Sequence, residues 1–597
     1  MSKRSGGVFA RRGEDIAAGV RSSGSPSRIA PVGATEAGGE ASFSGAEGCP
    51  PGGAPVENST AGAHDTTDRR EARDEYAALD ARLLPAALAC WMVTLLAVIA
   101  GWRVGVGVGA ALSLSSILLW FFLARGHVGG PYRCAAWTVL AAVVAASGFA
   151  FAGAWQDYRA EAHPLRHLPV GSVVTAELVA GDPKPLPSRS FGGRQWMMRA
   201  TVREFRYGAT TVRGVAAVTV ITPERIWSEL VPGQHITLRA RLDHPWRRDL
   251  TIAVLRAMGP PSAVGPRSWW QDAAATVRSK LSESAQRALP PDAAGVLPGL
   301  IDGDISRLPD HVRENFQAVD LTHLLAVSGT NVSIVLAAVL LSTRALSIDP
   351  RVGALLAGLA LLGFVVLARP SPSVLRASVM GSVAVLAILT GRRKQALPAL
   401  CAAVIVLVGI SPQLAVDVGF ALSVLATGAL ILLAPGWTRW LQRRGWPEPV
   451  AEAFGVATAA FVITTPIIVA LTGHVSGVAI LANVLVEPVV APITLLGVVA
   501  AVLSCLWQPA AVWVLDLAEW PMWWLLAVAE HSAALGISLT VPAGAGGAVL
   551  AVAVLAMGVA IVGLTGSRRR RARRSANPRR SGGGVVDLSP PTRRIVP

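Results

Sequence analysis

Two periodicities alternate along this chain, and each marks a different kind of structure. Apolar runs near residues 83–102, 104–124 and 135–155 come close to the roughly 20 residues that a helix needs to cross a bilayer. Further runs lie near 320–342, 352–368, 373–390, 397–411, 415–434, 451–471, 477–506, 509–530 and 546–565. Between the two sets, residues 156–265 switch to short alternating stretches, VVTAELV, MRATVREFRY, TTVRGVAAVTVI and QHITLRARL, broken by GDPKPLPSRSFGG, TPE and VPG. A period of two bounded by Gly and Pro predicts antiparallel strands with one buried face. The pattern reads as a small antiparallel barrel or sandwich, and about five strands in about 100 residues suit an OB-type barrel. The predicted fold class is a polytopic α-helical membrane protein of about twelve transmembrane helices with an extracytoplasmic small β-barrel (OB-like) domain.

Composition sets the boundaries. Residues 1–78 are Gly, Ser, Ala and Pro with scattered charge, too poor in large apolar groups to fold, and the opening MSKRSGGVFARRGED lacks the apolar core of a cleaved signal peptide. They are expected to be a disordered cytoplasmic tail. A three-helix membrane segment follows at 79–155, the β domain at 156–265, amphipathic helices and a polar lead-in at 266–318, a transmembrane channel domain at 319–566, and a second basic tail at 567–597. The loop RGHVGGPYR is purely cationic and is assigned to the cytoplasm, and counting outward from it brings TRALSIDPR, GRRK, WTRWLQRRGW and RRRRARR to the same side. Both termini are thus expected inside and the β domain outside. Gly and Pro in SGTNVS and EPVVAP predict broken helices, which membranes tolerate where the break lines a cavity.

With 52% hydrophobic residues and a mean hydropathy of +0.49, the composition excludes an ordinary soluble protein. Cys49, Cys90, Cys134, Cys401 and Cys505 are scattered and predict free thiols, neither a disulfide framework nor a metal site. The net charge of +16 comes mostly from arginine, and the inside-positive bias of membrane proteins accounts for much of it. The β domain is different: residues 156–260 hold fifteen Lys or Arg against nine Asp or Glu, net +6, on a face where that bias supplies no reason. Arg194, Arg199, Arg203 and Arg206 interleave there with Trp196, Phe205 and Tyr207, as cations and aromatics do in single-strand binders. Alternation puts Arg199 and Arg203 on one face.

Polar groups inside apolar runs are costly unless they meet a cavity or a partner, so they mark candidate sites. The stretch Gly299–Ile334, GLIDGDISRLPDHVRENFQAVDLTHLLAVSGTNVSI, is densest in them. Asp304 lies in its polar lead-in. A spacing of three puts Asp320 and His323 on one face of a helix and repeats in Ser328 and Asn331; for the latter two, helix–helix hydrogen bonding is the competing role. Arg376 is a candidate for a wetted path, with snorkelling to the outer interface as its alternative. Asn483 and Glu487 could line the same path; Asp417 is a further acidic group beside a span, and Asp516 and Glu519 are expected to pair with arginines or support kinks.

In chain order, GDISRL with LTHLLAVSGTNVSIV, PSVLRASVM, VDVGFALSVLATGAL and GHVSGVAILANVLVEPVVAPIT resemble the motifs of the ComEC family of competence proteins. The resemblance, over roughly residues 80–565, implies a multi-pass channel of the inner (cytoplasmic) cell membrane that carries single-stranded DNA into transformable bacteria. Asp304, Asp320, His323, Ser328, Asn331, Arg376, Asn483 and Glu487 are then pore candidates, and Arg194, Arg199, Arg203, Arg206, Trp196 and Tyr207 DNA-binding candidates. Many ComEC chains carry a C-terminal metallo-β-lactamase-like domain; no HxHxDH cluster occurs here, so a separate nuclease is expected. No GxxxxGK[ST] is present, so a separate cytoplasmic motor is expected to pull the strand. A DNA receptor, membrane lipids and further copies of the chain complete the expected partners. No enzymatic activity, cofactor, catalytic residue or metal is expected; a hydrolase built on His323 and Ser328 fails for want of GxSxG. The alternative is a proton-coupled secondary transporter or lipid-linked polymer flippase using Asp320, His323 and Glu487.

Overall fold

A computed structural model describes residues 80–557, except 126–131, 187–194, 223–226, 228–229, 326, 370 and 391–394. The tails at 1–78 and 567–597, the GRRK loop and Arg194 lie outside the described residues.

Three helices come first: α1 (Leu84–Ala100), α2 (Trp102–Ala124) and α3 (Tyr132–Glu161). Small residues let them approach closely, and a Cβ on Gly105 would lie 2.8 Å from that of Ala97 and 2.9 Å from that of Ala154. Helix α3 runs past the expected end at 155, because the Asp157 carboxylate accepts the Trp102 N–H at 2.8 Å and so caps the start of α2.

The alternating segment folds as β1 (Val173–Pro185), β2 (Trp196–Tyr207), β3 (Thr210–Thr222), β4 (His235–Asp243), β5 (Thr251–Ala257) and β6 (Ala263–Val264). The sheet order is β1-β2-β3-β5-β4-β6, β3 and β5 run parallel, and β1 also pairs antiparallel with β4. Inward positions such as Leu178, Val202, Phe205, Ile236, Leu238 and Leu255 form a core with Trp227. Trp196 belongs to that inward set and is buried, so it is unavailable for base stacking. The interleaving of cations and aromatics is, at Trp196 and Phe205, the in-and-out alternation of a strand rather than a stacking platform.

The lead-in forms α4 (Trp269–Ala288), α5 (Pro291–Ile301) and α6 (Asp310–Ala318). Every residue of α5 from Ala293 to Ile301 is buried. Next come α7 (Gly329–Ala345), α8 (Pro350–Leu367), α9 (Pro372–Leu389), α10 (Ala396–Ile410), α11 (Val418–Leu432), α12 (Ala434–Gln442), α13 (Glu448–Thr472), strand β7 (His474–Ser476), α14 (Ala479–Leu506), α15 (Gln508–Asp516), α16 (Glu519–Ala534) and strand β8 (Ser538–Thr540). Helix α5 packs against α14 so closely that a Cβ on Gly497 would lie 2.4 Å from the Ile301 side chain.

Among the described residues six helices are long and apolar enough to cross a membrane, or eight if α11–α12 and α15–α16, bent by 41° and 50°, each make one span. The chain is a mostly helical, multi-pass membrane protein with a sheet domain. Four further helices, Leu84–Ala100, Gly329–Ala345, Ala396–Ile410 and Ala545–Met557, are apolar but only 10–17 residues long and stand outside that set. The breaks differ from expectation. Helix α14 continues through Pro488 and Pro492, and α7 starts at Gly329 instead of breaking there. The bends fall at Leu433 and at Leu517–Ala518, between shorter helices, where the acidic Asp516 and Glu519 flank the second one and Glu519 faces a helix N-terminus.

Candidate functional site

The site is built at the point where the polar segment after α5 turns back toward the membrane helices. Gly303, at φ 80°, allows the sharp turn, and Asp302 and Asp304 each accept a backbone N–H two residues on, at 2.8 and 2.9 Å. Asp302 is 1% exposed, and its other carboxylate oxygen has no partner among the described residues. Burial pushes its pKa up to about 7, with Asp304 adding to the rise and the Arg278 guanidinium opposing it. Arg278, from α4, is itself buried and donates to the Leu367 carbonyl at 3.0 Å at the end of α8. Arg369, just beyond α8, pairs with Asp182 of β1. A second ion pair joins sheet to helices: Arg199 of β2 lies 3.0 Å from Asp417, whose other oxygen accepts the Phe420 N–H at 3.0 Å and caps α11.

Asp320 and His323 do not share a helical face. Asp320 sits at φ 58°, a left-handed turn that ends α6, and His323 lies in the short 3₁₀ turn Thr322–Leu325. The turn exists because the Leu321 N–H returns to the Phe316 carbonyl at 2.9 Å, terminating α6 before another helix can start. The Asp320 carboxylate accepts the Ser476 N–H at 3.3 Å, and burial raises its pKa above the ordinary carboxylate range. His323 is exposed, with a ring nitrogen 3.1 Å from the Asp320 carbonyl. Ser328 is the N-cap of α7, accepting the Asn331 N–H at 3.3 Å and donating to the Asn331 side-chain oxygen at 3.1 Å. Asn331 is buried and donates to the Leu300 carbonyl at 2.7 Å, tying α7 to α5.

Arg376 does not snorkel: it is 7% exposed and donates to Ser423 of α11 at 2.8 Å. Its guanidinium lies where a Cβ on Gly329 would come within 2.4 Å of it, so glycine at the start of α7 is what admits the arginine. Asn483 donates to the Ala479 carbonyl of its own helix at 2.8 Å, and Glu487 is exposed one turn later. On the sheet, Arg203, Arg206 and Tyr207 are exposed. Arg206 lies beside Thr175, which lies beside Arg239, and Arg241 follows on the outward side of β4. None of these four arginines makes an ion pair among the described residues. Arg239 and Arg241 were legible in the alternation of QHITLRARL; Arg278, Asp302 and Arg369 were not, because only the fold brings them together.

Segments spread over nearly two hundred residues therefore converge: Asp320 binds Ser476, Asn331 binds the end of α5, and Arg376 bridges Gly329 and Ser423. The fold is thus a multi-pass helical bundle with paired polar groups at helix ends and a basic sheet joined to it by ion pairs. The model of the competence protein family matches residues 300–567 of this chain. The chain is 32% identical over 157 residues to ComE operon protein 3 of Bacillus subtilis (strain 168), a stretch that covers 26% of this chain and 20% of that protein. No solved structure matches.

Proposed function

We propose that the protein is the channel that conducts single-stranded DNA across the cell membrane during natural transformation. The contacts that tie the four motif segments to one another, Asp320 to Ser476 and Arg376 to Ser423 beside Gly329, inside the segment that matches the competence family, are the observation that carries this reading. A phosphate backbone cannot enter hydrocarbon, so a conduit needs polar groups at helix ends and breaks, and those are what these contacts bring together. The chain acts as a passive conduit without a catalytic step; a DNA receptor, a separate nuclease and a cytoplasmic motor work with it. Its sheet is of the OB type, a reading supported by the parallel β3–β5 pair and the β1–β4 pairing. The sheet lies outside the cell and both termini inside, and the shorter apolar helices complete about twelve spans. Reporter fusions at Gly192 and after Arg574 are expected to report opposite compartments, and matching compartments would reject the orientation.

Asp320 and His323 shape the mouth of the path. Asn tolerates the left-handed backbone of Asp320 and keeps an acceptor for Ser476, so Asp320→Asn removes charge with little strain. His323→Ala removes one exposed local contact. Both variants should accumulate normally in a competent host while internalised labelled DNA per channel drops about tenfold or more, the equivalent of at least about 1.4 kcal/mol. Normal uptake in both strains would move the mouth elsewhere.

A further inference from the structure

Two depressions of about 150 and about 430 Å³ lie side by side on the outward face of β1, β2 and β3 and share Val179 and Thr201. Arg203 and Val215 flank the larger. The smaller reaches Gln413, just before α11, and carries Arg199 on its wall. The groove thus has an aliphatic floor, a cation at each end of a Thr201 step, and an exit at the head of a membrane helix. At that exit the Arg199 guanidinium is already occupied by an anion, the Asp417 carboxylate.

We propose that the Arg199–Asp417 ion pair is an exchangeable seat: a phosphate of a single strand lying in this groove displaces Asp417 from Arg199 as the strand passes from the sheet to the helices. This rests on the reading of the protein as a DNA conduit and names the step by which its sheet hands the strand on. The chemistry of the pair suits exchange. Arg199 is 56% exposed while Asp417 is 12% exposed, so the cation is reachable and the carboxylate stays in its cap. Asp417 divides its oxygens, one to the Phe420 N–H and one to Arg199. Freed of Arg199, it remains hydrogen bonded at the N-terminus of α11, where the helix dipole favours a negative charge. Arg199 meanwhile exchanges one oxyanion for another in the same geometry. Arg203, unpaired among the described residues, supplies the preceding phosphate contact.

Full-length protein in detergent, titrated with a fluorescent oligothymidylate at low salt, tests the exchange. Asp417→Asn and Asp417→Ser both keep a capping oxygen and remove the competing charge. Each should tighten binding about twofold to fivefold, the span expected for one exposed ion pair. Arg199→Gln should weaken binding, and Arg199→Gln combined with Asp417→Asn should bind like Arg199→Gln alone, because the gain needs the arginine. Wild-type binding with no gain in either Asp417 variant, or a gain that survives Arg199→Gln, overturns the exchange and leaves the conduit reading standing. Failure of wild type and all variants to bind overturns both.

Discussion

Replacing Arg376 with Gln should remove most folded protein from the membrane and with it most DNA uptake. The guanidinium is buried among α7, α9 and α11, where it donates to Ser423 and fills the space left by Gly329. Gln is shorter and cannot span the three helices, so Ser423 loses its partner, a void opens at Gly329, and each buried polar group left unpaired costs on the order of 1–3 kcal/mol. Arg376→Lys separates bracket from path. Lys keeps the charge but not the fork, so a bracket loses folded protein with Lys as well as with Gln. Gly329→Ala should act in the same direction by driving a methyl into the guanidinium. Protein level by membrane immunoblot and labelled DNA taken up per cell are the two measurements. Normal protein with absent uptake in Arg376→Gln would show instead that the arginine touches the strand.

Asp302→Asn should stabilise the protein, and more so as pH rises. Burial raises the folded pKa of Asp302 to about 7, above that of an exposed carboxyl, so the folded state holds a proton that the unfolded chain has lost. Stability therefore falls as pH rises from about 4 toward about 7, and the full penalty, about 4 kcal/mol, is present above that range. Asn cannot ionise and escapes this penalty while keeping an acceptor for the Asp304 N–H. Unfolding midpoints of purified wild type and variant at pH 5 and pH 8 check it: the advantage of the variant should be large at pH 8 and should shrink toward pH 5. An advantage that does not change with pH would mean that Asp302 stays ionised in the fold, held by Arg278 and Arg369.

Much of the architecture was legible because it depends on local pattern. The β segment shows its period of two in VVTAELV and QHITLRARL, and the strands formed there bury one face and expose the other. The long apolar runs appear as helices for the same reason, since each must satisfy its own backbone. The site was legible in its residues and not in its geometry. Asp320 and His323 stand three apart, which on a helix would align them, but Asp320 takes a left-handed conformation that no spacing rule anticipates. EPVVAP looks like a break, yet α14 runs through it, because neighbouring packed helices tolerate the missing N–H groups. Arg199 looks like a free cation from its strand position, and only the head of α11 supplies its carboxylate.

The sequence alone determined the membrane class, the position of a strand-built basic domain within the chain, and the motif segments that carry the family resemblance, since hydrophobic period and residue type are local properties. Tertiary structure decided which polar groups meet. It joined Asp320 to Ser476, Asn331 to α5, Arg376 to Ser423 and the sheet to the helices through Asp182 and Asp417. It also made Asp302 a buried acid while leaving Asp304, two residues away, half exposed. Burial and partnership arise from contacts between segments far apart in the chain, and no local period encodes them.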